Sequence, residues 1–476
     1  MTVNTGAKSE YLLARRSLGL LPISASIAAA WMWAPALMVA ATLGYLYGFW
    51  GVFWFSVPNI IAVLLFGPVA ARARQRLPDG ATYSGYQRRA HSRRVMSLFI
   101  GQDAMALFTN MLANAIAGGF VLSFVFDLPF GLGVALVLLI PLAYTIPGGF
   151  RISTLTDLFT MAAILGVVVL VAIATVGTAG TATLIDGWQG ANGFDVAFIA
   201  AGLGLTLTIH LLAAPYSDQT LWQRAWAARP EDVRRAFFIG GLLFAPVPIL
   251  CGAVGMVAFG SGIELADAQQ ALFAGAGAFL PQLAVSALGL AVLLAVVDTI
   301  DSCMSATSAF VSDDNTLGWS VAGGRMAMTV MAALVAAVAL GPGTPSILSV
   351  QLLYGALSGS TLLPGLMALF RSRLPSEPAV FWGMLLGLVV GLPLFVYGLY
   401  GPGGDMAVAG GLVLTVGGAG VITWALDGLI ARRGTWKRCP QCQHRLIQQG
   451  DRWAPCPERG CGCGQDEAFI PFFYMG

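Results

Sequence analysis

The sequence predicts an all-α membrane protein of about twelve transmembrane helices. Three observations lead there. Of 476 residues, 57% are hydrophobic and only 10% are charged, against roughly 25% charged in an ordinary soluble domain. Apolar runs recur along the chain at the length of about 20 residues that a helix needs to cross about 30 Å of hydrocarbon. These runs are continuous rather than alternating, which argues against a β-barrel. Composition also excludes a soluble enzyme, a disordered chain and a secreted disulfide scaffold. The net charge of +2 gives no ground for a nucleic-acid partner. The lipid bilayer is the partner that the composition demands.

Twelve spans are expected, near 20–46, 49–71, 96–126, 129–147, 153–177, 196–220, 236–260, 282–311, 321–341, 346–370, 379–400 and 405–431. Residues 1–10 are polar, and the run after them is too long and too rich in tryptophan for a cleaved leader, so the first span is expected to stay. Twelve spans put both ends of the chain on one side of the membrane. All 25 basic residues then fall on that side: Lys8 to Arg16, the Arg72–Arg94 loop, Arg151, Arg224 to Arg235, Arg325, Arg371, Arg373 and the tail. The other side holds acids alone, such as Asp127, Asp186 and Asp405. The positive-inside rule makes the basic side cytoplasmic, in a plasma or inner membrane. The expected organisation is a cytoplasmic segment 1–19, a membrane domain 20–431 and a cytoplasmic cysteine-rich tail 432–476.

Spans one and six are unusual. The first, SASIAAAWMWAPALMVAATLGYLYG, carries small residues, two tryptophans and a mid-span Pro35. The sixth, HLLAAPYSDQTLWQRAWAARP, is interrupted by Pro215, Ser217, Asp218 and Gln219. One such proline is ordinarily a packing kink. A pair five spans apart fits two five-helix inverted repeats, whose broken helices mark a transporter's binding site.

These segments resemble a known family. YLLARRSLG before SASIAAAWMWAPAL, GGFRISTLTD (148–157) and LAVVDTIDSCMSATSAFVSDD (294–314) are similar to the first, fifth and eighth core helices of the sodium:solute symporter family, which has the LeuT-type fold. AWMWA, YLYGFWGVFWF, LFTN and DQTLWQRAWAARP resemble its urea symporter branch. The likeness runs over about residues 11–370. It implies repeats near 20–177 and 196–370, with extra helices at 379–431. Family members usually have one more helix before the first core helix. This chain starts directly at the core, so a cytoplasmic N-terminus is expected.

The resemblance also implies an ion site between core helices 1 and 8, at Ala29, Met32, Ala295, Asp298 and Thr299. A hard cation needs oxygens, and an interrupted helix frees carbonyls. A further cation site in some members maps onto Asp157, Asp301 and Ser302. Asp298 and Asp301 stand where hydroxyls are usual. Asp298, Asp301, Ser302 and Ser305 share one helical face by spacing. An acid at mid-membrane costs about 2.5–3.5 kcal/mol on insertion scales. Three readings stay open: a sodium ion with carboxylate ligands, a proton shared among the acids, or acids that merely bond nearby hydroxyls.

The solute is expected beside the two breaks, at Trp31, Trp33, Thr109, Asn110, Tyr216, Asp218, Gln219, Trp222, Gln351 and Tyr354. Amide and carboxylate groups with aromatic faces suit a small neutral amide such as urea. His210, on an apolar stretch, is read as a hydrogen-bonded packing residue. In the tail, CPQC followed by CPERGCGC gives Cys439, Cys442, Cys456 and Cys461 the paired spacing of a structural zinc site, with Cys463 and His444 in reserve. The functional expectation is a secondary symporter that moves a small polar solute inward, driven by sodium or protons. The alternative is a transporter-like sensor that signals through a zinc-binding tail to a cytoplasmic partner. No enzyme motif interrupts the spans, so the chain is not expected to be an enzyme.

Overall fold

The computed structural model describes residues 5–193, 199–371, 374–433, 436–438, 445–449 and 452–453. Helix α1 (Thr5–Leu13) precedes α2 (Leu20–Trp31) and α3 (Ala34–Arg76). Then come α4 (Tyr83–Ala90), α5 (Arg93–Phe126), α6 (Phe130–Asp186), α7 (Leu205–Ser217) and α8 (Gln219–Ala227). The chain continues through α9 (Val233–Phe244), α10 (Pro246–Gly260), α11 (Ala271–Gly277), α12 (Gln282–Ser312) and α13 (Val321–Ala339). It ends in α14 (Ile347–Phe370), α15 (Glu377–Tyr400), α16 (Gly404–Val413) and α17 (Ala419–Arg433).

Among the described residues, 10 helices are long and apolar enough to cross a membrane. The expectation was twelve spans, and the difference lies in two places. Residues 20–46 and 49–71 fall on a short α2 and a 43-residue α3, and the spans expected at 129–147 and 153–177 both fall on a 57-residue α6 that begins at Phe130. Each long helix carries a glycine of non-helical backbone, Gly48 (φ 56°) in α3 and Gly149 (φ 60°) in α6. The chain turns back at these points. A Cβ on Gly51 would lie 2.1 Å from the Leu43 carbonyl oxygen, eight residues earlier, which a straight helix rising about 1.5 Å per residue would hold about 12 Å away. Likewise Tyr144 and Thr156, on opposite sides of Gly149, both donate to the same Asp301 carboxylate oxygen, at 2.6 and 3.0 Å.

Gly149 is needed for a second reason. A Cβ there would stand 2.5 Å from the Tyr11 carbonyl oxygen, where α1 packs into the turn and the Tyr11 hydroxyl donates to the Ile146 carbonyl at 2.8 Å. Gly149→Val joins a β-branched side chain to positive φ and drives it into α1. It is expected to lower stability by at least about 2 kcal/mol, read as a lower unfolding midpoint of the detergent-purified protein.

The two helix breaks appear where the sequence places them. α2 stops at Trp31, Met32 takes φ −93°, ψ 54°, and α3 restarts beyond Trp33. α7 stops at Ser217, and Asp218 (φ −84°, ψ 95°) caps α8, its carboxylate accepting from the Thr220 amide at 2.8 Å. All nine residues of α8 are buried. Leucines, valines and aromatic residues exposed on α6, α13 and α15 form the outward apolar surface that lipid would cover.

In the tail, β1 (Trp436–Arg438), β2 (Arg445–Gln449) and β3 (Arg452–Trp453) form an antiparallel sheet of order β1-β2-β3, with Trp436 opposite Ile447 and Gln448 opposite Trp453. Cys439, Cys442, Cys456 and Cys461 lie outside the described residues. Among the described residues, no group of three or more His, Cys, Asp or Glu is placed to hold a metal ion.

Candidate functional site

Ser26 on α2 sits just before the first break, and Arg224 on α8 sits just after the second. They meet. Arg224 is 0% exposed. Its Nε donates to the Ser26 carbonyl at 2.9 Å and to the Ser26 hydroxyl at 2.8 Å. Its Nη2 donates to Asp157 Oδ2 and to Ser302 Oγ, both at 2.9 Å. The Ser26 hydroxyl also donates to Asp157 Oδ2. One guanidinium therefore ties together α2, α6, α8 and α12. The sequence reading counted Arg224 only among the basic residues of the cytoplasmic side; the structure buries it in this cluster. A fork of fixed donors is what lets one side chain bridge four elements.

Around it the acids gather. Asp301 accepts from the Tyr144, Ser153 and Thr156 hydroxyls at 2.6, 2.6 and 3.0 Å. Asp298 is 1% exposed, and neither carboxyl oxygen has a protein donor. Its carboxyl group lies within hydrogen-bonding reach of Asp157, whose Oδ1 likewise has no other partner. Two facing carboxyl oxygens without a donor need a proton or a cation between them. Thr299 returns its hydroxyl to the Ala295 carbonyl at 2.9 Å, and the Met32 amide donates to the Ala29 carbonyl at 3.0 Å. The expected first ion set is thus buried as a group, with several of its oxygens already engaged. In the second set, Asp157 and Ser302 hold the guanidinium.

The candidate solute residues divide. Trp31, Trp33 and Tyr354 cluster by the first break, with ring centroids 6.2 Å apart for Trp31–Trp33 and 5.8 Å for Trp33–Tyr354. The Trp31 indole donates to Asn59 at 2.6 Å, while the Trp33 indole nitrogen has no partner. Both amide atoms of buried Gln351 are also without partners. Thr109 bonds its own helix, at the Met105 carbonyl (2.8 Å), and Asn110 accepts from Asn114 at 3.0 Å. Asn114 in turn accepts from the Ala34 amide at 3.1 Å, capping α3 at the break. The sequence analysis missed this role.

The other group is tied into the arginine-rich side. Asp218 caps α8. Gln219 donates to the Ala81 carbonyl at 2.9 Å. Trp222 donates to the Tyr216 carbonyl at 2.9 Å and stacks on Tyr83, centroids 4.4 Å apart. There the loop following α12 seals against α4. Asp313 accepts from Thr82 at 3.0 Å and from Thr316 at 3.1 Å, and burial holds its pKa above the ordinary carboxylate value despite these donors. Arg16 donates to the Asp79 carbonyl at 2.8 Å, and its pKa falls to about 10 through burial.

The sodium:solute symporter family model matches residues 11–226. A probable urea active transporter of Schizosaccharomyces pombe is 27% identical over 264 residues, 50% of this chain and 39% of that protein. The urea-proton symporter DUR3 of Oryza sativa subsp. japonica is 25% identical over 297 residues, 54% of this chain and 40% of its own. The urea active transporter of Saccharomyces cerevisiae is 25% identical over 340 residues, covering 64% and 45%. The matches thus take in less than half the length of each of these relatives. Among solved structures, a Na+-coupled sialic acid symporter in its substrate-bound outward-open state superposes with TM-score 0.71 at 15% identity, over 89% of this chain and 92% of that one. A nucleobase-cation-symport-1 family transporter, closed with bromovinylhydantoin bound, gives 0.59 at 14% identity, covering 89% and 95%. Structural likeness at such identities shows the fold alone. Residues 11–226 of this integral membrane protein are thus similar to the sodium:solute symporter family, and its curated relatives are urea transporters.

Proposed function

We propose that the protein is a secondary symporter that moves a small neutral polar solute, urea or a close amide, inward by alternating access. The observation that carries this reading is the buried cluster of Asp157, Asp298, Asp301 and Arg224, set between two helix breaks. Ionisable groups at this depth are expensive and mark ion or substrate paths. The breaks supply ends of helices around which one bundle can rock against another. The coupling ion is a sodium ion or a proton, held at Asp298 with Asp157 and Thr299. A bare pair of facing carboxyl groups accepts either. Urea as solute rests on the names of the relatives, and the arginine-rich side is the cytoplasmic one. The sensor alternative gains nothing from these relatives and is not carried further.

The test is uptake of radiolabelled urea into proteoliposomes under an inward sodium gradient and, separately, an inward proton gradient of equal size. Accumulation driven by one gradient alone is expected, and it names the ion. Accumulation under neither removes urea as the solute.

A further inference from the structure

Helices α3 and α9 meet along a tight seam at the arginine-rich end of the bundle. A Cβ on Gly67 would stand 3.0 Å from Phe237 Cβ and 3.2 Å from the Arg234 carbonyl oxygen, and one on Gly241 would stand 2.9 Å from Leu64 Cδ2. Residue 67 is therefore level with 234–237 and residue 64 with 241, so the two helices run antiparallel here. Just beyond this level α3 ends in Arg74 and Arg76, and α9 begins.

A cleft of about 450 Å³ opens beside the seam, lined by Leu64 and Pro68 from α3 and by Arg234, Arg235, Phe238 and Ile239 from α9. That volume falls within the roughly 300–1,000 Å³ of small-molecule sites. The lining is graded along the helix axis. Arg234 and Arg235 stand in the first turn of α9, and Phe238 and Ile239 follow four residues later on the same two rows. The cleft is thus cationic at its outer end and apolar below. Phe238 is 54% exposed, and exposed Leu242, Leu65 and Ile61 carry the apolar surface on towards the middle of the bundle. Both arginines are exposed. Among the described residues, neither has an ion-pair partner.

We propose that this cleft is a binding site for an anionic phospholipid, its phosphate held by Arg234 and Arg235 and one acyl chain lying along Leu64, Pro68 and Phe238. Charge and the order of the lining choose the occupant. Two guanidinium groups without carboxylate partners match a phosphate, to which an arginine gives two parallel N–H bonds. Basic pockets between membrane helices on the cytoplasmic side take anionic headgroups. The apolar residues follow at the depth where acyl chains begin. A zwitterionic lipid would bring its own ammonium against the arginines, and a free phosphate would leave the apolar part of the cleft unfilled. The close approach at Gly67 and Gly241 fixes the floor between two packed helices rather than in a loop. This inference needs only that the chain spans a bilayer, and it does not depend on the symport reading.

The experiment is thermal unfolding of the whole chain in a neutral detergent, titrated with phosphatidylglycerol, phosphatidylcholine or inorganic phosphate. Phosphatidylglycerol is expected to raise the midpoint by at least about 2 °C, and the other two to leave it in place. Arg234→Ala and Arg235→Ala should each raise the lipid concentration that gives half the shift about fivefold, and the double variant should abolish the shift. Both side chains are exposed and outside any ion pair, so the midpoint without lipid should not move in these variants. Arg93→Ala/Arg94→Ala removes the same charge from exposed positions at the start of α5, away from the cleft, and should keep the whole shift. A shift that survives in Arg234→Ala/Arg235→Ala, or that is lost equally in Arg93→Ala/Arg94→Ala, overturns the proposal, because the lipid then binds elsewhere or by net charge alone. No shift with phosphatidylglycerol overturns it as well, and so does an equal shift with phosphatidylcholine or with inorganic phosphate.

Discussion

Arg224→Met is expected to destabilise the protein more than any other single change in the cluster. The guanidinium makes hydrogen bonds to the Ser26 carbonyl and hydroxyl, the Thr220 carbonyl, Asp157 and Ser302, with both partners of its ion pair 0% exposed. Removing one member of a buried pair leaves the other charge uncompensated, which costs about 3–5 kcal/mol. Here the remaining member would be Asp157, already facing Asp298. A lower unfolding midpoint in detergent measures the loss. The double variant Arg224→Met/Asp157→Asn should recover a large part of it, and the difference between the double and the summed single effects is the coupling energy. Arg224→Lys should not rescue, because a point charge on a flexible stem cannot reach Ser26, Asp157 and Ser302 together. A stable Arg224→Met protein with unchanged midpoint would show that the arginine is not what neutralises the cluster.

Asp298 should behave in the opposite way. Its oxygens have no protein donor, and it faces Asp157. Asp298→Asn puts an N–H donor where two carboxyl groups now meet, so the folded state should be at least as stable as before. Ion-driven accumulation of solute should nevertheless fall about tenfold or more, a loss of at least about 1.4 kcal/mol of coupling. Binding of the solute should change little, because Trp33 and Tyr354 beside the first break make no hydrogen bond to the cluster. Midpoint, binding and gradient-driven uptake measured side by side check the three parts. If Asp298→Asn and Asp298→Ala both accumulate solute as well as the parent protein, these acids are not the coupling centre.

The sequence by itself determined the class of structure and the place of its irregularities. Long apolar runs leave helices as the way to satisfy the backbone in lipid, so the membrane helices were legible from composition and run length. The breaks were legible too, because Pro35, Pro215 and a Ser-Asp-Gln interruption have local causes that no distant contact is needed to supply. The turns at Gly48 and Gly149 fall in the gaps left between spans at 46–49 and 147–153, and the helix count differs because α3 and α6 each run through such a turn. Tertiary structure alone decided the chemistry of the site. Sequence spacing puts Asp298, Asp301 and Ser302 on one face, yet it cannot say that an arginine just past the second break turns inward to them rather than outward with its basic neighbours. Nor can spacing tell a satisfied histidine from His210, whose ring nitrogens find no partner beside Gly355 of α14. Propensity and periodicity are set by residues within a turn or two of each other. Which charges are paired, and which polar atoms are left without a partner, depends on residues 67 to 198 positions apart in the chain, as the bonds of Arg224 to Asp157 and Ser26 show.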